Sequence, residues 1–172
     1  MITFKGKPIT LVGTQVQVGD KSPDFEVIAT DLSPVNGTEF HGKVCIFSAV
    51  PSLDTSVCST ETRRFNDEAR KLGPEVAVAT ISMDLPFAQK RWANEHKVDQ
   101  LKLLSDHRQA SFGQAFGVLI QDMRLLARAV FVIDRDGTVR YIQLVEDVTH
   151  EPDYDSAISA ARQLASEVGA HR

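Results

Sequence analysis

A chain of 172 residues with 42% hydrophobic and 24% charged residues has the composition of an ordinary soluble globular protein, and its length fits one domain over 1–172. A net charge of −4 with dispersed Lys and Arg excludes the basic footprint that nucleic acid or an anionic membrane surface requires. The first residues lack a secretory signal's apolar run and no stretch approaches the about 18 apolar residues of a membrane span, so a cytoplasmic location is expected.

Residues 1–18 read as an N-terminal β-hairpin extension, with strands at 2–5 and 9–12 around Gly6-Lys7-Pro8. Alternation over 24–30 marks a half-buried strand, and Ser33-Pro34-Val35-Asn36-Gly37 marks a loop. Residues 43–50 are apolar on both faces, the pattern of a central strand covered on both sides. From Cys58 the period changes to helical: Phe65, Ala69 and Leu72 share one face, and Gly73-Pro74 supplies a stop. Residues 75–83 read as another buried strand. A helix then opens at Pro86, tolerated in a first turn because its missing N–H has no partner there, and reaches about His96. A short strand at 101–104, a short helix at 110–116 and one strand over 125–133 follow. The turn Asp134-Arg135-Asp136-Gly137 leads into a strand at 138–145, and an Ala-rich helix covers 153–168. Strands alternating with helices, then a hairpin and a last helix, predict an α/β fold with a mixed central sheet flanked by helices, similar to the thioredoxin-like fold.

Two cysteines, Cys45 and Cys58, are too few for a disulfide framework and should rest as thiols in a reducing compartment. Cys45, inside the apolar run 43–50, reads as a small core hydrophobe. Cys58 closes Pro51-Ser52-Leu53-Asp54-Thr55-Ser56-Val57-Cys58, where strand gives way to helix. Its Asp, Thr, Ser and Glu neighbours predict a partly exposed thiol, and unpaired N–H groups at a helix N-terminus favour a thiolate there.

Ionisation alone achieves little. For a thiol in general, lowering the pKa from about 8.5 to about 6 raises the thiolate fraction at pH 7 roughly 30-fold, and the accompanying fall in nucleophilicity removes roughly tenfold. The rest must come from groups that hold the substrate and stabilise moving charge. Thr55, three residues before Cys58, has a hydroxyl within reach of the thiolate and a bound substrate oxygen. Pro51, lacking an N–H, walls a pocket without competing for an anion. Arg128 is a lone guanidinium in Leu125-Leu126-Ala127-Arg128-Ala129-Val130-Phe131; it needs an anionic partner or a pocket, or else it faces solvent from an edge strand.

The spacing Pro51-x-x-x-Thr55-x-x-Cys58 resembles the active-site motif of the peroxiredoxins. Asp84-Leu85-Pro86-Phe87-Ala88-Gln89-Lys90-Arg91-Trp92 and the segment 125–134 narrow the resemblance to the bacterial thiol peroxidases, across nearly the whole chain. This resemblance implies a thioredoxin-like fold, Cys58 as peroxidatic nucleophile, Thr55, Pro51 and Arg128 around it, and no cofactor. It further implies hydrogen peroxide and organic hydroperoxides as substrates, a thiol reductant and a homodimer. One departure stands out. Where most such enzymes carry a resolving cysteine in a Cys-Gly-Ala-Glu-Gly run, this chain reads Ala93-Asn94-Glu95-His96-Lys97.

A sulfenic acid on Cys58 then has three routes: reduction by an external thiol such as thioredoxin or a low-molecular-weight thiol, a disulfide with another protein, or a disulfide with Cys45 after local unfolding. The external thiol is preferred. His41, His96, His107, His150 and His171 are scattered without metal-ligand spacing, so no metal site is expected. Two rivals stand beside the peroxidase: a cysteine hydrolase, which needs an imidazole at the thiol, and a peroxide-sensing redox-relay protein with poor turnover, which the missing resolving cysteine favours.

Overall fold

The computed structural model describes residues 1–167, so the helix end expected at Val168 lies outside the described residues. In chain order the elements are β1 Thr3–Phe4, β2 Lys7–Pro8, β3 Leu11–Val12, β4 Glu26–Ala29, β5 Pro34–Asn36, a 3-10 turn Gly37–Phe40 and β6 Val44–Ala49. There follow α1 Ser56–Leu72, β7 Val76–Ser82, α2 Pro86–His96, β8 Lys102–Ser105, α3 Ser111–Phe116, β9 Leu119–Ile120, β10 Leu125–Leu126, β11 Ala129–Ile133, β12 Val139–Leu144 and α4 Tyr154–Glu167.

Seven strands form the central sheet in the order β12-β11-β6-β7-β8-β4-β5. The pairs β6·β7 and β7·β8 are parallel and the others antiparallel, so the sheet is mixed, as expected. Each parallel pair needs a crossover, and α1 and α2 supply the two. Side chains alternate across β6, which is buried along its whole length. Val44 and Ile46 pack with Phe65 and Ala69 of α1 and with Ala157, Ile158 and Ala161 of α4. Cys45, Phe47 and Ala49 face a second core of Phe25, Phe112, Phe116 and Phe131 on the α3 side.

Three expectations are corrected. The hairpin is short: β1 pairs with β2, while Leu11–Val12, expected as the returning strand, pairs with β9 instead. Gly6, with φ of 80°, makes the two-residue turn with Lys5 possible and so brings Lys7 back onto Phe4. The segment 33–37 is a strand in its middle, because Val35 pairs with Val27 and buries its side chain. The apolar run 125–133 is two strands in different sheets, separated at Ala127-Arg128. Apolar character does not reveal such a break, since Leu126, Ala127 and Ala129 are all fully buried, in a strand or between strands.

Candidate active site

α1 begins at Ser56, two residues before the expected start, with Thr55 as its N-cap at φ −98° and ψ 148°. The first helical N–H with an internal acceptor is that of Ser59, which donates to Thr55 O at 3.0 Å. Cys58 therefore sits in the first turn, among N–H groups the helix itself leaves unpaired. Helical spacing then turns Cys58, Glu61, Thr62, Phe65 and Ala69 inward.

This corrects the expectation of a partly exposed thiol: Cys58 is 0% exposed. Of the polar neighbours that suggest exposure, Asp54, Thr55, Ser56 and Thr60 are exposed themselves, Ser59 is half-buried, and Glu61 is buried on the same helix face as Cys58. Cys58 instead joins an apolar cluster with Val50, Leu53, Trp92 and Leu103, against which Ala93 packs. Trp92 is tied to α1 by an Nε1–H bond to Ser59 Oγ at 3.2 Å.

Arg128 is the other half of the site. Its place between β10 and β11 keeps the side-chain parity of Val130 and Val132, so the guanidinium enters the α1 face of the sheet, where it is 1% exposed. Of the two readings open for it, the buried partner is the one observed. Nη2 donates to Cys58 Sγ at 3.2 Å and Nη1 to Glu61 Oε1 at 2.9 Å. The Nε and Nη2 edge grips one carbonyl, Val148 O, at 2.9 and 2.7 Å. Ser48 Oγ donates to the second oxygen of Glu61. Burial opposes the guanidinium's charge, yet Glu61 and Cys58 beside it outweigh that and raise its pKa. Burial also lifts the Glu61 carboxyl, with Arg128 and Ser48 pulling against it.

Neither Glu61 nor Ser48 is apparent from motif spacing. The available signals were the i+3 position of Glu61 after Cys58 and a serine inside an apolar strand, in register with Val130 of β11. Pro51 is buried at the mouth of the loop that leads to α1. Thr55, which is exposed, donates its hydroxyl to Ser52 O at 2.9 Å, so its proton is directed into the loop. That loop is pinned from the far side by Asp84, whose carboxylate accepts from Ser52 Oγ at 2.7 Å and from Leu53 N at 2.8 Å.

Cys45 occupies the opposite end of β6 from the site and is 1% exposed. Burial pushes its thiol up to about 12. Its position, four residues below Ala49, puts it roughly 13 Å back along the strand from the loop that carries Thr55. The sulfur's partner at Cys58 is a guanidinium, which stays protonated and cannot serve as the general base a cysteine hydrolase requires.

A thiol in the first turn of a helix, facing a buried guanidinium on a mixed α/β frame, makes this a thioredoxin-like protein with a cysteine-centred candidate site. The chain matches the Redoxin family over residues 17–158. It is 55% identical over 161 residues to a thiol peroxidase of Halalkalibacterium halodurans, covering 94% of this chain and 96% of that one. To a thiol peroxidase of Bacillus subtilis it is 53% identical over 163 residues, covering 95% and 97%. Among solved structures, a peroxiredoxin-like protein from Aquifex aeolicus superposes with a TM-score of 0.89 at 40% identity, over 95% of this chain and 96% of that one. The chain belongs to the Redoxin family and, within it, to the bacterial thiol peroxidases.

Proposed function

We propose that Cys58 is the nucleophile with which this thiol-dependent peroxidase reduces hydrogen peroxide and organic hydroperoxides, and that Arg128, Thr55 and Pro51 complete its site. The observation that carries this reading is the 3.2 Å contact from Arg128 Nη2 to Cys58 Sγ in a water-excluded pocket. The thiolate attacks the terminal peroxide oxygen; an S–O bond forms as the O–O bond breaks. The electron pair goes to the departing oxygen, which takes up a proton and leaves as water or an alcohol. Sulfur, oxidised by two electrons, becomes a sulfenic acid.

Negative charge moves from sulfur to oxygen in this step, and a fixed guanidinium beside both atoms stabilises it without reorganising. The hydroxyl oxygen of Thr55, its proton committed to Ser52 O, is left as an acceptor for the peroxide O–H. Pro51 offers no N–H to compete. Because Cys58 is fully covered, a peroxide reaches the sulfur only when the apolar cluster around it opens locally.

An external thiol then attacks the sulfenic sulfur, releases water and leaves a mixed disulfide; a second thiol frees Cys58 and departs as the disulfide. The alanine at position 93 supports this route, as does the remoteness of Cys45. A homodimer is part of the proposal, supported by Leu85 and Phe87, large apolar side chains 53% and 65% exposed at the start of α2. So is a cytoplasmic location, where reducing thiols are plentiful. Among the described residues no helix is long and apolar enough to cross a membrane.

Steady-state peroxide consumption with dithiothreitol, thioredoxin or a low-molecular-weight thiol tests the reading. Multiple turnovers that vanish in Cys58→Ser support it. A Cys58→Ser protein that still turns over overturns the nucleophile assignment, and a single turnover with every reductant replaces recycling catalysis with peroxide sensing.

A further inference from the structure

The grip on Arg128 leads away from the site to the N-terminal hairpin. Val148 O takes the Nε and Nη2 edge of the guanidinium, and the same Nη2 points its other hydrogen at Cys58 Sγ. A displacement of this carbonyl therefore turns the donor away from the sulfur. The side chain of Val148 is buried in the core, while its backbone is hydrogen-bonded to the hairpin. Its N–H donates to Thr3 O at 3.0 Å, and Thr3 N–H donates to Glu146 O at 2.8 Å. Asp147, between them and 7% exposed, accepts from Thr3 Oγ1 at 2.7 Å and from Gly6 N at 2.9 Å on one oxygen, and from Thr149 N at 2.9 Å on the other.

We propose that the β1–β2 hairpin aims the active-site arginine: Thr3 and Asp147 are positioning residues that fix Val148 O, and through it the direction of Arg128 Nη2. This rests on the reading that Arg128 stabilises the charge moving off Cys58. A hairpin that merely covered the fold would need only its apolar packing through Ile2 and Phe4. Its polar contacts instead converge on residues 146–148, the segment that supplies the guanidinium's carbonyl. The hydroxyls of Thr149 and Thr3, with the backbone N–H groups, hold the Asp147 carboxyl below the usual carboxylate range, so the clamp stays charged at neutral and mildly acidic pH.

The test is the second-order rate constant for oxidation of Cys58 by hydrogen peroxide, read by stopped-flow fluorescence of Trp92 at a pH where the rate has reached its plateau. Small misplacements of a reacting group cost up to about a hundredfold, so Asp147→Ala should slow oxidation by about tenfold or more, and Thr3→Val by a few-fold. Thr3→Ser, which keeps the hydroxyl, should restore the wild-type rate. The same hairpin substitutions made on Arg128→Met should change the rate by less than about twofold, because non-additivity is the mark of two groups acting through one contact. Should Asp147→Ala fail to fold, the Thr3→Val and Thr3→Ser pair carries the test.

Hairpin substitutions that leave the native rate unchanged, or that slow Arg128→Met by the same factor, overturn the inference alone. A wild-type protein that peroxide does not oxidise, or an Arg128→Met protein as fast as wild type, overturns the underlying reading of the site.

Discussion

Cys58 and Glu61, one turn apart on α1, hold two nitrogens of the same guanidinium: Sγ lies 3.2 Å from Arg128 Nη2 and Oε1 lies 2.9 Å from Nη1. Two acceptors on one rigid helix face thus meet the planar fork of a single side chain from the β10–β11 connection. The carboxylate fixes the plane of the fork, and the fork in turn presents one N–H to the sulfur. The guanidinium beside the thiol is thus held from two sides, by Glu61 and by Val148 O, while the apolar cluster covers the sulfur.

Replacing the fork by a point charge separates orientation from charge. Arg128→Lys keeps a cation but cannot span Val148 O, Glu61 and Cys58 together. Its oxidation rate should fall by about a hundredfold, the scale of losing one aimed donor in a transition state. Stopped-flow rates compared on the plateaus of both pH profiles decide the matter. Equal plateaus would mean that Arg128 acts only by favouring ionisation of the thiol and not on the transition state.

The Arg128–Glu61 pair is 2% and 0% exposed at its side chains, and so differs in kind from surface pairs such as Arg91–Glu95 at 56% and 61%. Removing one partner of a buried pair leaves the other without compensation. Glu61→Gln should lower stability in urea by about 3 kcal/mol, with little dependence on salt, whereas Glu95→Gln should cost under about 1 kcal/mol. Equal losses for the two substitutions would show that the buried pair adds no more than a surface contact.

The frame of this site was legible because its strands are apolar on both faces and its first long helix has a clean period. β6, β7, α1 and α2 follow from that pattern; Cys58 and Arg128, each conspicuous against its local background, are brought into contact by the fold. What escaped is what depends on three-dimensional neighbours. The depth of Cys58 was misjudged because residues adjacent in sequence point to different sides of a helical turn. Glu61 reads as one more polar residue, since only the arrival of Arg128 from the β10–β11 connection, 67 positions away, makes its burial tolerable. The hairpin reads as an extension, since its contacts to Glu146 and Val148 run through backbone groups and its side-chain contact, Thr3 with Asp147, joins residues 144 positions apart, which local pattern does not reveal.

The fate of the oxidised sulfur is accessible to trapping. With Cys45 at the far end of β6 and its thiol pushed up to about 12, thiolate attack from that residue on Cys58 is disfavoured in both reach and chemistry. Protein treated with one equivalent of peroxide in the absence of thiol should give a dimedone adduct on Cys58 by mass spectrometry. A quantitative Cys45–Cys58 disulfide with no adduct would refute external-thiol recycling.

Asp106 offers a pH signature independent of the thiol. It follows β8, is 2% exposed, and accepts Phe112 N at 3.0 Å and Gly113 N at 2.8 Å at the start of α3. Burial outweighs these bonds and raises its carboxyl to about 6 from an ordinary 3.8. Between these two values the folded protein binds a proton that the unfolded chain does not, so stability rises as pH falls through 6 and the gain is complete near 4. The shift of about two units corresponds to about 3 kcal/mol at most. Asp106→Asn removes this proton uptake; it also replaces one acceptor with a donor opposite an N–H, which destabilises the protein at every pH. Subtracting the two urea stability curves cancels carboxylates with lowered values, such as Asp31 and Asp153, whose opposite trend is common to both proteins. The difference should widen in favour of the wild type from pH 7 to pH 4, because only the wild type recovers the cost of a buried charge on acidification. Parallel curves over that range would mean that Asp106 ionises in the folded protein as readily as in the unfolded chain, its two backbone bonds fully offsetting its burial.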